Sequence, residues 1–204
     1  MLRLPRLYAI LDASCFCHAE QLLVAAEELA GAGVTLLQYR DKIGDARQVL
    51  QEARELKRRI GASVKLIMND RADLCLAAGF DGVHVGQDDL SPAGVRKVIG
   101  SELCLGVSSH NPEQLRKADE TSADYVAIGP VFPTMSKANP DPVIGLDGVR
   151  RLRVLTRKPL VAIGGITRAN CRSVVEAGAD SVAVISDLVL NPRKSAEEFL
   201  QILR

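Results

Sequence analysis

The chain has 204 residues and carries 26 Lys and Arg against 25 Asp and Glu, a net charge of +1 with histidine neutral. That balance offers no global basic field for DNA, RNA or an anionic membrane. The hydrophobic 47% is mostly aliphatic, with 3% aromatic residues and no Trp, which suits packed α/β layers better than a base-stacking platform.

The length fits one domain, residues 1–204, and is short for a barrel of eight β/α units. No run approaches the roughly eighteen apolar residues of a membrane span, and the first residues lack a signal core, so a cytoplasmic location is expected. Five cysteines, Cys15, Cys17, Cys75, Cys104 and Cys171, are odd in number and show no CxxC spacing. They support neither a disulfide framework nor a zinc site. Cys75 and Cys104 lie in apolar runs and read as small core residues. Cys15, Cys17 and His18 fall in a loop whose spacing fits no zinc pattern.

Short apolar runs alternate with longer amphipathic stretches along the whole chain. Leu7–Leu11 precedes a predicted helix Ala19–Ala32, and Val34–Tyr39 precedes Asp45–Ile60. Val64–Met68 leads to Arg71–Ala78, Gly82–Val85 to Pro92–Ile99, and Leu103–Val107 to Pro112–Thr121. Tyr125–Ile128 leads to Leu146–Leu155, Leu160–Ile163 to Arg168–Ala177, and Ser181–Ile185 to Ser195–Leu203. The strands are near-continuous hydrophobics, as parallel strands covered by helices require. In Asp45–Ile60 the residues Ala46, Leu50, Ala53, Leu56 and Ile60 mark one helical face. Gly33, Gly61, Gly79, Gly100 and Gly178 stand where left-handed helix stops are expected. Eight such units predict an α/β fold, a TIM-type (β/α)8 barrel with a closed parallel sheet. An open doubly wound sheet is disfavoured because the first strand runs into Asp12-Ala13-Ser14 rather than a glycine-rich turn. The long segment Gly129–Gly145 is the one extended irregular connection, stiffened by Pro140 and Pro142, and reads as a functional loop.

Barrel sites form just past the C-terminal strand ends. Strand alternation places Gln38, Arg40 and Lys42 on one side, two cations and an amide suited to phosphate oxygens. Asn69-Asp70 ends the third strand, where Asp70 could also cap the next helix. Gly86-Gln87-Asp88-Asp89 brings carboxylates to the neighbouring strand end, and carboxylates facing cations are what a Mg2+–diphosphate site needs. His84, between Val83 and Val85, reads as a packed, hydrogen-bonded residue. His110 sits on the rim and could transfer protons. Thr134, Ser136 and Lys137 follow the sixth strand. Gly164-Gly165 and Ser186 supply the backbone cup that holds a phosphate after strands seven and eight. Two anion sites in one barrel suggest two phosphorylated reactants and a transfer reaction.

The chain resembles the thiamine phosphate synthase family over nearly its whole length. The resemblance is carried by Gln38-x-Arg40-x-Lys42, Asn69-Asp70, Asp81-Gly82-Val83-His84-Val85-Gly86-Gln87-Asp88-Asp89, Gly106-Val107-Ser108, Gly129-Pro130-Val131-Phe132-Pro133-Thr134, Lys137 and Ala162-Ile163-Gly164-Gly165-Ile166. It implies joining of hydroxymethylpyrimidine diphosphate to hydroxyethylthiazole phosphate, with diphosphate leaving first. By that resemblance Gln38, Tyr39, Arg40, Asp41, Lys42, Asn69, Ser108 and Lys137 bind the pyrimidine diphosphate, and Arg40, Lys42, Ser108 and Lys137 are catalytic. Thr134, Met135, Ser136, Gly165, Ile185 and Ser186 surround the thiazole phosphate. Asp70 and Asp89 carry Mg2+, with Asp88, where the family often has Glu, behind them. Two small phosphorylated substrates are then the partners, without nucleic acid or membrane, and family analogy allows a homodimer. Two alternatives stay open: a related thiazole tautomerase using His110, and a non-catalytic ligand-binding barrel.

Overall fold

The computed structural model describes residues 4–134 and 141–204. Eight strands close in sequence order into one parallel barrel. They are β1 (Leu7–Asp12), β2 (Leu36–Arg40), β3 (Lys65–Asn69), β4 (Gly82–Val85), β5 (Cys104–Ser109), β6 (Tyr125–Ile128), β7 (Leu160–Ile163) and β8 (Ser181–Val184). The helices that follow them are α1 (Ala19–Gly31), α2 (Ala46–Ile60), α3 (Ala72–Ala78), α4 (Pro92–Ile99), α5 (Pro112–Asp119), α6 (Gly145–Arg153), α7 (Cys171–Glu176) and α8 (Pro192–Ile202). Among the described residues no helix is long and apolar enough to cross a membrane.

Every strand is covered outside and filled inside. Leu7, Ala9 and Leu11 of β1 pack outward with Leu37, Leu66, Val83 and their equivalents against the helices. Tyr8, Ile10, Leu36, Ile67, Tyr125, Ala127, Val161 and Ala183 make a second, smaller cluster inside the barrel. Further along the same strands the inward positions turn polar, at Gln38 and Arg40, Asn69, His84 and Ser108, and these line a cavity. The periodicity of two thus builds one face into two environments, an apolar base and a polar mouth.

Several boundaries differ from expectation, for identifiable reasons. Strands β1, β2, β3 and β5 run on through Asp12, Arg40, Asn69 and Ser109, because ladder hydrogen bonding continues past the last apolar side chain. Helix α7 starts at Cys171 rather than Arg168, since the Asn170 carboxamide oxygen takes the Thr167 N–H at 2.8 Å and the segment forms a turn. Helix α8 begins earlier, at Pro192, a first-turn residue that needs no N–H partner. Gly79 ends α3 with φ 69°, as predicted, whereas Gly61 has φ −65° and stays right-handed, so it is no left-handed stop. His18 caps α1, its Nδ1 accepting the Gln21 N–H at 3.3 Å.

A latch recurs at the strand N-terminal rim, opposite the cavity. Asp81, Asp124 and Asp180 immediately precede β4, β6 and β8. Each donates its N–H to a leucine carbonyl (Leu66, Leu105, Leu160) at 2.8 Å. Each carboxylate accepts the N–H of that same leucine, also at 2.8 Å. A cation from the helix two strands back completes each latch: Lys57 at 3.0 Å, Arg96 at 2.7 Å and Arg153 at 2.7 Å. The closed sheet is therefore tied in pairs of strands, away from the mouth. Replacing Asp124 with Ala should cost about 1–2 kcal/mol, the worth of a partly exposed charge-assisted hydrogen bond. Thermal denaturation should show a midpoint lower by roughly 2–8 °C, with catalytic parameters at low temperature unchanged; an unshifted midpoint would show that the latch carries no stability.

Candidate active site

The mouth of the barrel encloses a cavity of about 530 Å3. Gln38, Arg40 and Lys42 all border it, on the single side that alternation assigned to them. Arg40 forms an ion pair with Asp12, which is 3% exposed and also receives the Ser14 hydroxyl at 2.6 Å. Asp12, which by its sequence alone begins the loop after β1, is the last residue of that strand and thereby holds the guanidinium in place.

Asp70 has φ 60°, the one positive value outside glycine among the described residues. The Arg71 N–H reaches back to the Asn69 carbonyl at 2.7 Å, closing a tight turn on Asp70, and the Asp70 N–H bonds to His84 of β4 at 2.8 Å. This geometry decides between capping and display. Helix α3 has no side-chain cap, and the Asp70 carboxylate is paired with Lys42 instead. Burial pushes its carboxyl above the usual range, against the pull of Lys42, and the nearby Asp89 adds to the rise. Asp89 accepts the Gly86 N–H at 2.7 Å, which folds the β4 loop so that this carboxylate faces Asp70. Asp88 lines the same wall. Beside them the Asn69 amide nitrogen is buried without a partner among the described residues, a donor ready for an anion.

His84 is 8% exposed and hydrogen-bonded at both nitrogens, to Tyr125 at 2.9 Å and to Ser108 at 2.8 Å. It is the packed residue expected, yet it also touches the cavity. Burial lowers its pKa to about 4. Burial likewise raises the phenols of Tyr8 and Tyr125, which stay protonated. The Ser108 carbonyl accepts from Gln87 at 2.5 Å, so this residue is fixed from both ends.

Across the cavity stand Thr134, Gly164, Gly165, Ile185 and Ser186. The two glycines are required: a Cβ on Gly165 would meet the Pro133 carbonyl at 2.4 Å, and one on Gly164 would meet Pro130 at 2.5 Å. That close approach lets Phe132 donate its N–H to the Gly164 carbonyl at 3.0 Å. His110 also lines the cavity, with Nδ1 at 2.7 Å from the Gly129 carbonyl and 3.5 Å from Asp141.

Two residues of the expected pyrimidine-diphosphate set have side chains that lie away from this cavity. The Tyr39 side chain does not reach the cavity; it points outward and donates its hydroxyl to Glu52 of α2 at 2.6 Å. Asp41 turns its carboxylate to the N–H groups of Ile43 and Gly44, at 2.9 and 2.8 Å, and borders only a smaller pocket beside Asp70. Met135, Ser136 and Lys137, with Asn139 and Pro140, lie outside the described residues.

A family model described as "Thiamine monophosphate synthase" matches residues 7–188. The chain belongs to the thiamine monophosphate synthase family. A thiamine-phosphate synthase of Koribacter versatilis is 64% identical over 99% of this chain and 97% of its own length. One from Chloroflexus aurantiacus is 46% identical over 90% of this chain and 85% of that one. Among solved structures, thiamine phosphate pyrophosphorylase from Pyrococcus furiosus superposes with a TM-score of 0.86 at 32% identity, over 97% of this chain and 95% of that one. A 3-hexulose-6-phosphate synthase from Salmonella typhimurium, at 17% identity and a TM-score of 0.75 over 98% of both chains, shares the fold alone. In this family member the β2, β3 and β4 ends thus form one charged wall, facing a glycine-bounded wall after β7 and β8.

The depressed pKa of His84 has a stability consequence. An unfolded histidine takes its proton near pH 6.5, while native His84 resists it down to about 4. Between those values the unfolded state binds more protons. The stabilisation is complete above about pH 6.5 and is lost as pH falls through the window, by roughly 3 kcal/mol at its foot. Denaturant titrations from pH 7 to 4 should show a flatter profile for His84→Asn than for the parent chain; equal slopes would refute the buried neutral imidazole.

Proposed function

We propose that this chain condenses hydroxymethylpyrimidine diphosphate with hydroxyethylthiazole phosphate, giving thiamine phosphate and diphosphate in thiamine biosynthesis. The observation that carries this reading is the juxtaposition, in one cavity, of Arg40, Lys42, Asn69, Asp70 and Asp89 against Gly165 and Ser186. The names of the two thiamine-phosphate synthases described above point the same way.

The carboxylate pair fits a divalent ion. Two adjacent carboxylates, one with a raised pKa from its neighbour and from burial, need positive charge between them. Mg2+ is commonly held by one or two carboxylates, with substrate phosphates and waters completing its shell. Among the described residues no group of three or more His, Cys, Asp or Glu could hold a metal by itself, so the remaining ligands fall to substrate and water. Bound by Asp70 and Asp89, the ion would neutralise charge on the diphosphate oxygens.

The protein's own groups do the rest. The bond from the pyrimidine methylene to the diphosphate oxygen breaks, and its electron pair leaves with the diphosphate. Arg40, held by Asp12, and Lys42 stabilise that developing anion, joined by Lys137. Asn69 donates to the same group the N–H that has no partner among the described residues, and Gln38 and Ser108 hold the pyrimidine diphosphate. The thiazole nitrogen then donates its lone pair to the methylene carbon. No strong protein base is needed, because this nitrogen carries no proton to remove. Thr134, Gly165, Ile185 and Ser186, across the cavity, hold the thiazole phosphate, which supplies orientation, and the family pattern gives Met135 and Ser136 the same role. A cytoplasmic location follows from the same reading, since both substrates are anions that a membrane retains.

The test is diphosphate release from the two substrates, with and without Mg2+. Release should depend on the ion and should fall by at least about a hundredfold in Asp70→Asn, the scale of losing a charge-stabilising group. The Asp70→Asn midpoint should stay within a few degrees of the parent, because Asn tolerates a left-handed backbone and the carboxylate caps no helix. His110→Ala should retain condensation. Loss of isomerisation of a thiazole substrate in His110→Ala, with no diphosphate release in the parent, would transfer the assignment to a tautomerase; ligand binding without turnover would leave a binding barrel.

A further inference from the structure

Five side chains cross the barrel interior in an unbroken line. The Gln38 amide nitrogen lies 2.9 Å from the Tyr8 hydroxyl, and that hydroxyl lies 2.9 Å from the Tyr125 hydroxyl. Tyr125 is 2.9 Å from His84 Nδ1, and His84 Nε2 is 2.8 Å from the Ser108 hydroxyl. The rungs come from β2, β1, β6, β4 and β5, so the line spans the mouth just above the apolar base. Ring packing holds it: Tyr8 meets Tyr125 edge-on with centroids 6.0 Å apart, and His84 stacks on Tyr125 at 5.5 Å. Gly106 makes the crossing possible, since a Cβ there would stand 2.1 Å from the Tyr125 ring and 2.4 Å from His84 Nδ1.

Counting protons gives the line a direction. An amide nitrogen can only donate, so Tyr8 accepts from Gln38, and among the hydrogen bonds of the described residues its single proton finds an acceptor only at Tyr125. Tyr125, accepting there, has only its own proton to give to His84 Nδ1. A nitrogen that accepts leaves the imidazole proton on Nε2, where it is donated to Ser108. Ser108 is therefore an acceptor toward the protein, and its own proton is left for the cavity. The reverse direction would need the Gln38 carboxamide turned over, and would make Ser108 a donor to His84 and an acceptor toward the ligand.

We infer that Tyr8, Tyr125 and His84 are positioning residues that set the proton direction of this line and thereby make Ser108 a dedicated donor to an acceptor atom of the ligand. The functional part rests on the condensation proposed above, in which that acceptor is a substrate oxygen gaining negative charge as its bond to carbon breaks. Hydrogen bonds in series polarise one another, so the line strengthens the Ser108 donor as that charge grows. Hydrophobic packing alone would ask for none of these polar atoms in the barrel interior.

The direction can be read without any turnover. The chain has three histidines, so nitrogen-15 NMR of histidine-labelled protein gives three imidazole patterns, with His84 assigned by its disappearance in His84→Gln. The expected result is the tautomer protonated at Nε2, and a mixture of tautomers in Tyr125→Phe, which keeps the ring but removes the donor to Nδ1. Tyr125→Phe should lower kcat on the order of tenfold, the equivalent of one hydrogen bond, with KM for the thiazole phosphate within about twofold. Tyr8→Phe, one rung more remote, should show a smaller change of the same kind and guards against a folding defect peculiar to Tyr125→Phe. A parent protein protonated at Nδ1 overturns the inference, and so does an unchanged kcat in Tyr125→Phe. Absence of diphosphate release in the parent would defeat the condensation reading by itself, while the NMR result would still decide the direction of the line.

Discussion

Closing eight short parallel strands into a ring forces every second side chain into one shared interior, and almost everything else in this molecule answers that constraint. The interior cannot be uniformly apolar, because the ring must open to reactants at one end. It cannot be uniformly polar, because buried polar atoms need partners. The chain resolves this by changing character within two residues along β1, β2 and β3, while β7 and β8 stay apolar to their ends. Tyr8 and Ile10 give way to Asp12, Leu36 to Gln38 and Arg40, and Ile67 to Asn69. Ladder registers such as Ile10 with Gln38 and Asn69 with His84 bring those transitions to neighbouring strands. The polar mouth is therefore a property of the ring, with no single loop responsible for it.

The charged wall shows where stability has been yielded to chemistry. Asp70 occupies a left-handed backbone conformation that costs about 1–3 kcal/mol for a residue with a side chain. It is also partly buried beside a second carboxylate, which adds an electrostatic penalty. Lys42 offsets part of this, but the donor on Asn69 gets no such relief from the described residues. Strain, like charges and an orphan donor at adjacent strand ends share one remedy, a cation with an anion attached. The opposite rim is built on other terms. There Asp81, Asp124 and Asp180 each satisfy a backbone N–H group and a cation at once.

Much of this was legible in the residues. Strands β4, β6 and β7 fall on the apolar runs Gly82–Val85, Tyr125–Ile128 and Leu160–Ile163, because each is bounded by residues that also end its ladder. Gln38, Arg40 and Lys42 face the cavity together because alternation persists to the strand end. The same alternation already implied that Tyr39 faces the helices, and the family pattern, which spans consecutive positions, obscured it. Asp12, Tyr8 and Tyr125 escaped notice for a different reason: their significance lies in partners across the ring, and local spacing carries no trace of them. The rim latch did leave a trace. Asp81-Gly82-Val83, Asp124-Tyr125-Val126 and Asp180-Ser181-Val182 repeat an Asp two residues before an outward Val, which a search for internal repeats would have found.

Glycine settles how the two environments meet. Gly106 lies inside the ring where a side chain would collide with both Tyr125 and His84, and Gly82 lies where one would strike the Cys104 carbonyl. The missing side chain at Gly106 leaves room for the Tyr125 ring and the His84 imidazole to lie across the interior, at the level where the apolar base ends, and that at Gly82 lets β4 and β5 approach. Tyr125 belongs to both worlds: its ring packs with Tyr8 and Ala127 in the inner cluster, and its hydroxyl joins the polar line to Ser108. A Phe there would fill the base equally well. Burying the hydroxyl costs desolvation that its two hydrogen bonds offset without adding to the packing, which is physical ground for reading the line as part of the site.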